Sequence, residues 1–469
     1  MPRAGWVKPA SDQRLSDHIS IGVLTRVFPP ELVDAVVAEA GRGERRARLL
    51  PARVVVYYVL AMALFSDASY EEVMRQLVEG LAWESGWERA WAVPSKAAIF
   101  KARQRLGVEP LELLFGAVAG PLAGSATRGA FYRGLRLMSL DGTCLDVADT
   151  PVNEAAFGRP GSNRRQGGGA FPQLRLVGLS ECGTHAITDA ALGPYGSSET
   201  ALADELLGAL AVGTLCLADR GFYSFERFQA ARKTGAQLLW RIRSSAALPR
   251  EQSLPDGSYL TRIYPSNHDQ RSKRGGVQTR VVEYQLDDPG LPQAEQRYRL
   301  VCTLLDCDQA PAHELAALYR ERWELEGSLD ELKSHQRGPR IVLRSKMPDG
   351  VYQEAYGYLC THYAIRRLMH DAALRADLDP DRLSFTRSLR AARRSTRSHP
   401  GFSPPHSLAR ASEQAIAEIL AEPLPDRRLR ANPRVIKRKM SNWAVKRPEH
   451  RDWPQPTKPA NEAITVLAA

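Results

Sequence analysis

Apolar residues recur at helical spacing through the first 125 residues of the chain. LVDAVVAEAG is a periodic stretch that ends at Gly41, and PARVVVYYVLAMALF, which begins at Pro51, is apolar nearly all round. A helix that is apolar on every side has to be buried, so this segment predicts the centre of a small bundle. In VPSKAAIFKARQRLG, Ser95 suits an N-cap and Gly107 suits the position after a helix end. We therefore predict a helical domain over residues 1–125.

Apolar runs of strand length replace the helical spacing from about residue 130. LRLMSLDGTCLDV, QLRLVGLSEC and HAITDAAL predict three successive strands, and GTLCLADRG and QLLWRIR predict two more. SETALADELLGAL and FERFQAARKTG predict helices between them. Residues 245–298 are rich in Pro, Ser, Arg and Asp, with two weak strand signals, and are interpreted as an insertion. The pattern predicts an α/β domain over residues 126–378.

Two amphipathic helices complete that domain, HELAALYRERWELEGSLDELKSHQ and GVYQEAYGYLCTHYAIRRLMHDAAL. Residues 379–469 are strongly basic and form a third predicted region. Their final stretch, PQPTKPANEAITVLAA, is polar and rich in proline, which predicts a disordered tail.

The charge balance points to a polyanionic partner. The chain of 469 residues has 64 Lys and Arg against 53 Asp and Glu, a net charge of +11. Such an excess favours nucleic acid, although many proteins are mildly basic. The helix around residues 96–105 concentrates this charge, in Lys96, Lys101, Arg103 and Arg105. It is interpreted either as the second helix of a helix-turn-helix or as an ordinary solvated face.

Other classes are disfavoured by what the sequence lacks. The longest apolar run, residues 54–65, is too short to span a bilayer, and the first residues carry no apolar signal core. Six scattered cysteines without a CxxC pair argue against a zinc ribbon or a disulfide framework. We expect no membrane association and a cytoplasmic location.

Three carboxylates are the candidate catalytic residues. Asp141 and Asp219 each follow an apolar strand, where a metal or water can meet a charge that a sheet interior would not tolerate. Either aspartate alone is weak evidence, because aspartates commonly form turns at strand ends. Glu326 shares one helix face with Tyr319, Arg322 and Lys333, within roughly 60° at the α-helical period. The alternative for that face is an ordinary i,i+4 ion pair between Arg322 and Glu326.

Two strand-end carboxylates and a third from a helix packed on the sheet can hold a pair of Mg²⁺ ions. Ions about 3.5–4 Å apart can activate an attacking hydroxyl and stabilise the departing 3′ oxygen at phosphorus. Arg322 and Lys333 would neutralise nearby phosphates, and Tyr319 could hydrogen-bond a phosphate oxygen.

These residues resemble those of a known family. YRERWELEGSLDELK fits the Y-x2-R-x3-E-x6-K signature of the Insertion Sequence 4 family of bacterial DDE transposases, and SLDGTCLDVADTP and LADRGFYS resemble the regions around its two aspartates. The segment from about residue 15 to 106 resembles the helical domain ahead of the catalytic core in one branch. The resemblance covers most of the chain and ties the three carboxylates into one site.

The resemblance implies an RNase H-like mixed-sheet core with a β-rich insertion, between a helical N-terminal domain and a basic helical C-terminal region. It implies a transposase that binds terminal inverted repeats, cuts both strands at each element end and inserts the element elsewhere. Asp141, Asp219 and Glu326 would bind two Mg²⁺ ions, with Mn²⁺ as a substitute, and Tyr319, Arg322 and Lys333 would hold DNA. The partners would be double-stranded DNA and a second copy in the synaptic complex, on the bacterial nucleoid.

Several members of the family cut through a DNA hairpin, with a flipped base stacked on aromatic residues. Here Trp240 precedes the insertion, Trp323 lies in the signature, and the insertion offers only Tyr259, Tyr264 and Tyr284. Stacking on a tyrosine is adequate physically, so the hairpin route is a hypothesis without an assigned residue.

Other interpretations remain. A different RNase H-like nuclease or resolvase would use the same carboxylates, and a DNA-binding protein derived from a transposase would need none of them. His313, His335 and His362 lack the spacing of a transition-metal site. The Gly run at 167–169 lacks the GK[ST] ending of a phosphate-binding loop, so we interpret it as a flexible loop.

Overall fold

The computed structural model describes residues 19–44, 48, 50–78, 93–160, 171–246, 248–288, 297–338, 342–398, 405–425, 435–436 and 444–468. Within these ranges, the side chains of residues 321–326, 397–398, 405–407, 435–436, 444 and 460–461 fall outside the description. The Gly run at 167–169 lies outside the described residues. No helix in the described ranges is long and apolar enough to cross a membrane.

Helices form the first part of the chain, as predicted. They are α1 (Pro30–Glu39), α2 (Ala52–Leu64), α3 (Tyr70–Val78), α4 (Lys96–Leu106) and α5 (Glu109–Val118). Every residue of α2 from Val54 to Leu64 is buried, which confirms it as the bundle centre. The predicted cap of α4 is also present, because Ser95 Oγ accepts a hydrogen bond from the Ala98 amide at 3.3 Å.

The central region alternates strands and helices. Its elements are β1 (Phe131–Tyr132), β2 (Leu135–Asp146), α6 (Pro151–Phe157), β3 (Gln173–Glu181), β4 (Ile187–Pro194), α7 (Glu199–Leu206), β5 (Thr214–Ala218), α8 (Phe225–Lys233) and β6 (Gln237–Ile242). Strand β2 pairs antiparallel with β3 and parallel with β5, and β5 pairs parallel with β6. All five predicted strands are therefore confirmed. This mixed sheet with helices on both faces is an RNase H-like core.

The insertion extends this sheet. It contains β7 (Gln252–Ser253), β8 (Tyr259–Ile263), α9 (Asn267–Ser272) and β9 (Val277–Leu286), and β10 (Tyr298–Cys302) follows. Strand β10 pairs with β6 on one side and β9 on the other, both antiparallel. Among the described residues the sheet has 11 strands. Nine of them follow the order β4-β3-β2-β5-β6-β10-β9-β8-β7; in addition β1 pairs with β2, and β13 (Ile464–Val466) pairs with β9.

Helices α10 (Ala312–Asp330) and α11 (Pro348–Arg375) follow the sheet. The first was predicted to continue as one helix to Gln336, but residues Glu331–Gln336 form a π-helical turn. The remaining elements are α12 (Phe385–Ser398), α13 (Pro405–Leu420), β11 (Val435–Ile436), β12 (Ala444–Val445), α14 (Ala460–Ala463) and β13 (Ile464–Val466).

The C-terminal end corrects one prediction. The tail expected to be disordered includes β13, which pairs antiparallel with β9 from Ile464↔Leu286 to Val466↔Tyr284. Ile464 is buried against the sheet. A short segment whose hydrogen-bonding partner lies far away in sequence gives no local signal, which is why composition suggested disorder.

One hydrophobic core joins the N-terminal helices to the helices that follow the sheet. Helix α11 packs along α2, and Leu359 and Ile365 of α11 are buried in the same cluster as Val59. Helix α12 packs on residues 22–26, where the Ser395 hydroxyl accepts a hydrogen bond from the Val23 amide at 3.1 Å. The predicted domain limits at residues 125 and 378 stay predictions.

Candidate active site

Asp141 and Asp219 lie side by side on neighbouring parallel strands. The pairing of β2 with β5 ends at Leu140↔Ala218. Asp141 directly follows Leu140, and Asp219 directly follows Ala218 at the end of β5. Neighbouring strands lie about 4.8 Å apart, so the two residues are adjacent across the sheet. Asp141 is not at a strand end as predicted, because β2 continues to Asp146 beside β3. The parallel pairing of β2 with β5 therefore ends just before both carboxylates.

Both aspartates belong to the face of the sheet that α10 covers. Leu137 on β2 and Leu217 on β5 pack in one cluster with Leu315 of α10. Side chains alternate between faces along a strand, so Asp141 and Asp219 share this face. Met138 and Leu140 point the other way, into the cluster beneath α7 and α8.

Tyr319 of α10 contacts the second aspartate. Its hydroxyl donates to Asp219 Oδ1 at 3.4 Å and lies 3.5 Å from the Ala218 carbonyl oxygen. Its side chain is 1% exposed. The expected contact between Tyr319 and a DNA phosphate stays a prediction, since the contact that the structure gives it is with Asp219.

Sequence reasoning missed Arg241, which lies next to Asp219 on the neighbouring strand β6. Its Nη1 is 3.8 Å from Asp219 Oδ1, and its guanidinium lies over the Tyr298 ring at 4.6 Å from the centroid. Tyr298 in turn stacks on Tyr284 at 4.9 Å. The register Ala218↔Trp240 places Arg241 next to Asp219. The signal that could have found it is a cation directly after the apolar run QLLW on a strand parallel to β5.

Lys333 lies beside the first aspartate's strand. Its Nζ is 3.4 Å from Thr143 Oγ1, and Thr143 is on the same face of β2 as Asp141. Burial lowers the pKa of Lys333, and Arg337 lowers it further. The side chain as a whole is exposed, so its ammonium group is available to an anionic ligand such as a phosphate.

Glu326 and Arg322 are on α10, between Tyr319 and Lys333 along the chain. Their side chains, and that of Trp323, lie outside the described residues. Along the chain, Glu326 therefore lies between Tyr319, which contacts Asp219, and Lys333, which contacts Thr143 on the strand of Asp141.

A buried network fixes the end of this helix. Glu331, in the π-helical turn, makes an ion pair with Arg366 and accepts a hydrogen bond at 3.3 Å from the His362 ring. Arg366 also contacts His185 Nδ1 at 2.8 Å, and His185 Nε2 lies 3.0 Å from Asp381 Oδ1. Burial alone would raise the pKa of Glu331, but Arg366 and then the two histidines reverse this and lower it to about 2.

The basic helix α4 agrees only partly with its prediction. Lys96, Lys101 and Arg105 are exposed, with Lys96 3.6 Å from Glu71. Arg103 is buried: its Nε donates to Gln353 Oε1 at 2.9 Å and its Nη2 to the Gly350 carbonyl at 2.9 Å. The assignment of Arg103 as a DNA contact is therefore wrong, because its donors are committed to α11.

The aromatic residues considered for base stacking are mostly inaccessible. Trp240 is fully buried and packs edge-on against Phe228. Tyr259 and Tyr284 are 2% and 1% exposed. Tyr264, after β8, is half-buried and is the candidate of the insertion that a base could reach.

The carboxylates of Asp141 and Asp219 fit a divalent cation that prefers oxygen ligands. Two adjacent carboxylates supply anionic oxygens, the ligand type that Mg²⁺ prefers. Among the described side chains, no three or more of His, Cys, Asp and Glu group closely enough to hold a metal ion. The third expected ligand, Glu326, is among the side chains that are not described.

Comparisons with known proteins identify the family of the chain. Residues 132–363 match the family model for the transposase DDE domain, and residues 18–116 match that for the insertion element 4 transposase N-terminal region. The InsG transposase for insertion sequence element IS4 of Escherichia coli K12 is 31% identical over 433 residues, 92% of each chain. The putative transposase InsZ of the same organism is 27% identical over 243 residues, 52% of this chain and 78% of that one.

Among solved structures, the piggyBac transposase in a cryo-EM synaptic complex with hairpin DNA aligns over 87% of this chain and 85% of that chain. Its TM-score is 0.41 and its identity 12%.

The matched domain defines the class of this protein: it is a DDE transposase, an enzyme of DNA transposition. It belongs to the IS4 family of insertion-sequence transposases. DNA is therefore its partner, and DDE domains act with divalent metal ions. The predicted family, fold class and enzyme class are confirmed.

Proposed function

We propose that this transposase binds the terminal inverted repeats of its element, cleaves the element ends and joins the 3′ ends to target DNA. Asp141, Asp219 and Glu326 would hold two Mg²⁺ ions, which Mn²⁺ can replace. The observation that carries the proposal is the adjacency of Asp141 and Asp219 where the pairing of β2 with β5 ends. When bound, the ions supply activation of the attacking hydroxyl and stabilisation of the departing 3′ oxygen.

The residues of the chain hold the reacting groups in place. Tyr319 and Arg241 both lie close to Asp219 Oδ1 and would hold the Asp219 carboxylate in place. Lys333, and Arg322 by its place in the signature, would bind the phosphates beside the scissile bond.

The test replaces Asp219 by asparagine, which keeps the shape and removes the charge. Purified protein would be incubated with labelled end DNA and Mg²⁺. We expect end cleavage to fall at least roughly a thousand-fold, equivalent to about 4 kcal/mol, with end binding retained. Asp204→Asn on α7, an exposed aspartate paired with Arg227, is the matched control and should cleave normally.

The same assay decides the alternative of a DNA-binding protein that has lost catalysis. Wild-type protein that binds ends without cutting them would favour that alternative. Strand transfer that survives replacement of Glu326 by alanine would overturn the assignment of the third carboxylate.

The cleavage route is proposed to include a hairpin at the element end. On a denaturing gel, a hairpin product runs as one strand of twice the length of the end fragment. Nicked ends without that product would contradict the route while leaving the transposase assignment intact. Tyr264→Ala should reduce the hairpin product if this tyrosine stacks on the flipped base, since such stacking contributes about 1–3 kcal/mol.

End recognition is proposed for the exposed cations of α4. Lys96, Lys101 and Arg105 would contact the terminal repeats, and replacing Lys101 and Arg105 by glutamate should weaken end binding and flatten its salt dependence. Binding that is unchanged in this double variant would move the end-binding surface elsewhere. Pairing of two ends would need two such sites, so we propose a homodimer in the synaptic complex.

A further inference from the structure

Glu199 is a further carboxylate near the aspartate pair, beside the backbone of Gly142. It is the first residue of α7, directly after Ser198, whose hydroxyl caps the helix by accepting from the Ala201 amide at 3.0 Å. Helix α7 packs on β3 and β4, on the face of the sheet opposite α10, and Leu202 and Leu206 belong to the same buried cluster as Met138 and Leu140 of β2. Glu199 thus approaches the aspartates from the side that α10 does not cover.

The glycine next to the first aspartate makes this approach possible. Gly142 follows Asp141 on β2, and a side chain at position 142 would point to the face of the sheet that α7 covers. A Cβ atom at Gly142 would lie only 2.8 Å from the carboxyl carbon of Glu199 and 3.0 Å from its Cγ. The glutamate therefore fills the space that any side chain at position 142 would occupy, and its carboxylate rests on the backbone beside Asp141.

The surroundings of Glu199 compensate its charge only at longer range, through Arg175. Among the described residues, its carboxylate has no hydrogen-bond donor and no ion-pair partner within contact distance, although it is half-buried. Arg175 attracts this carboxylate and Asp219 repels it, in neither case through a hydrogen bond or an ion pair. A half-buried acid beside a second acid is costly, unless a cation shares the space.

We propose that Glu199 is a fourth carboxylate of the catalytic centre, reaching the Asp141–Asp219 pair through the gap left by Gly142. It adds negative charge and hydrogen-bond acceptors to the cation site from beneath the sheet, without being a direct ligand. This role rests on the proposed function, because it presupposes that Asp141 and Asp219 bind the cation. Glu199 is thus a positioning residue for the bound ion and its hydration.

The test measures metal binding directly. Full-length Glu199→Gln protein, which keeps the shape of the side chain, would be titrated with Mn²⁺ while free Mn²⁺ is followed by electron paramagnetic resonance. We expect binding roughly ten-fold weaker than in the wild type, the effect typical of groups that support metal ligands. Glu205→Gln is the matched control: it lies on the same helix, is exposed and points away from β2.

Two further variants strengthen the test. Glu199→Asp keeps the charge on a shorter side chain and should recover part of the Mn²⁺ affinity. Gly142→Ala forces the carboxylate away from β2 and should weaken Mn²⁺ binding as Glu199→Gln does. The Mg²⁺ concentration for half-maximal end cleavage should rise in parallel in both weakened variants.

Asp141→Asn separates the two proposals. If Asp141→Asn loses Mn²⁺ binding while Glu199→Gln binds normally, the role of Glu199 is wrong and the proposed function stands. If Asp141→Asn also binds Mn²⁺ normally, the proposed cation site itself is wrong. A loss in Glu205→Gln equal to that in Glu199→Gln would likewise overturn the inference, since general charge would then explain both.

Discussion

Single residues decide what the aspartate pair can do. Asp219 Oδ1 has the Tyr319 hydroxyl at 3.4 Å and the Arg241 guanidinium at 3.8 Å, so contacts within the chain position this carboxylate. Lys333 is anchored differently, through a contact with Thr143 on the strand of the first aspartate. Prior positioning of this kind matters because charge stabilisation by a fixed group needs no rearrangement during the reaction.

Lys333→Met tests this view of the lysine. Removing the ammonium group should lower end cleavage roughly a hundred-fold, as loss of a fixed charge at a reacting phosphate does. The free energy of unfolding, from urea denaturation, should not fall, because the Lys333 side chain is exposed. Lys346→Met, at an exposed site, should change neither quantity. Unfolding that becomes easier in Lys333→Met would indicate a structural role instead.

Arg103 shows what a residue pattern cannot tell. Its place among the cations of α4 indicated a DNA-facing side chain, yet its hydrogen-bond partners Gln353 and Gly350 lie on α11, far away in sequence. Arg241 shows the converse, because its partner Asp219 is known only once the strand order is known. The sequence predicted which residues were chemically suited to the site, but burial depends on tertiary neighbours that no local period encodes.

At the scale of elements, local signals were sufficient where an element forms its own pattern. Apolar runs predicted β2 to β6, and a serine and a glycine predicted both ends of α4. The π-helical turn at Glu331–Gln336 had no such signal, since its cause is the buried network around Glu331. Turns of this type often occur at functional sites, and this one carries Lys333.

Glu331→Gln tests whether the network holds that turn. Breaking a buried ion pair should lower the free energy of unfolding at neutral pH by about 3 kcal/mol. The folded-state pKa of Glu331, about 2, is below its ordinary value of 4.5, so its contribution is complete above pH 4.5 and is lost as the pH falls toward 2. The difference between variant and wild type, from urea denaturation, should therefore shrink over that range.

A control for the same series is Glu413→Gln, which breaks an exposed ion pair with Arg375. Solvent screens such a pair, so stability should be almost unchanged at every pH. A difference for Glu331→Gln that stayed constant down to pH 2 would mean that the effect comes from packing and not from charge.

The last strand offers another element-scale prediction. Deleting residues 457–469 removes β13 and the amides of Thr457 and Lys458 that donate to Asp288 at 2.8 and 3.0 Å. Hydrogen exchange followed by mass spectrometry should become roughly ten-fold faster at residues 284–286 of β9, where pairing with β13 is lost. Lys458→Ala retains the backbone amide and should exchange like the wild type. Unchanged protection after the deletion would show that β13 does not support the sheet.

At the scale of the whole molecule, the N-terminal helices and the transposase core are packed as one unit. The charges proposed for end recognition are on α4, while α2 beside it packs on α11, which carries Arg366 of the Glu331 network. One continuous hydrophobic core connects the N-terminal helices with α11 and with Leu329 and Leu332, next to Glu331. We therefore expect that a displacement of the N-terminal helices also shifts the C-terminal end of α10.

Gly357→Val tests this coupling. At Gly357, α11 passes so close to α2 that a Cβ would lie 3.1 Å from the Val59 carbonyl oxygen. A valine should lower the free energy of unfolding by about 1–3 kcal/mol, the usual cost of overpacking a core. Hydrogen exchange should quicken in α2 and also in β2 and β5. Gly116→Ala in α5, with nothing within 4 Å of its Cβ position, is the matched control and should be as stable as the wild type or more so. Exchange that rises in α2 alone would show that the bundle and the sheet unfold independently.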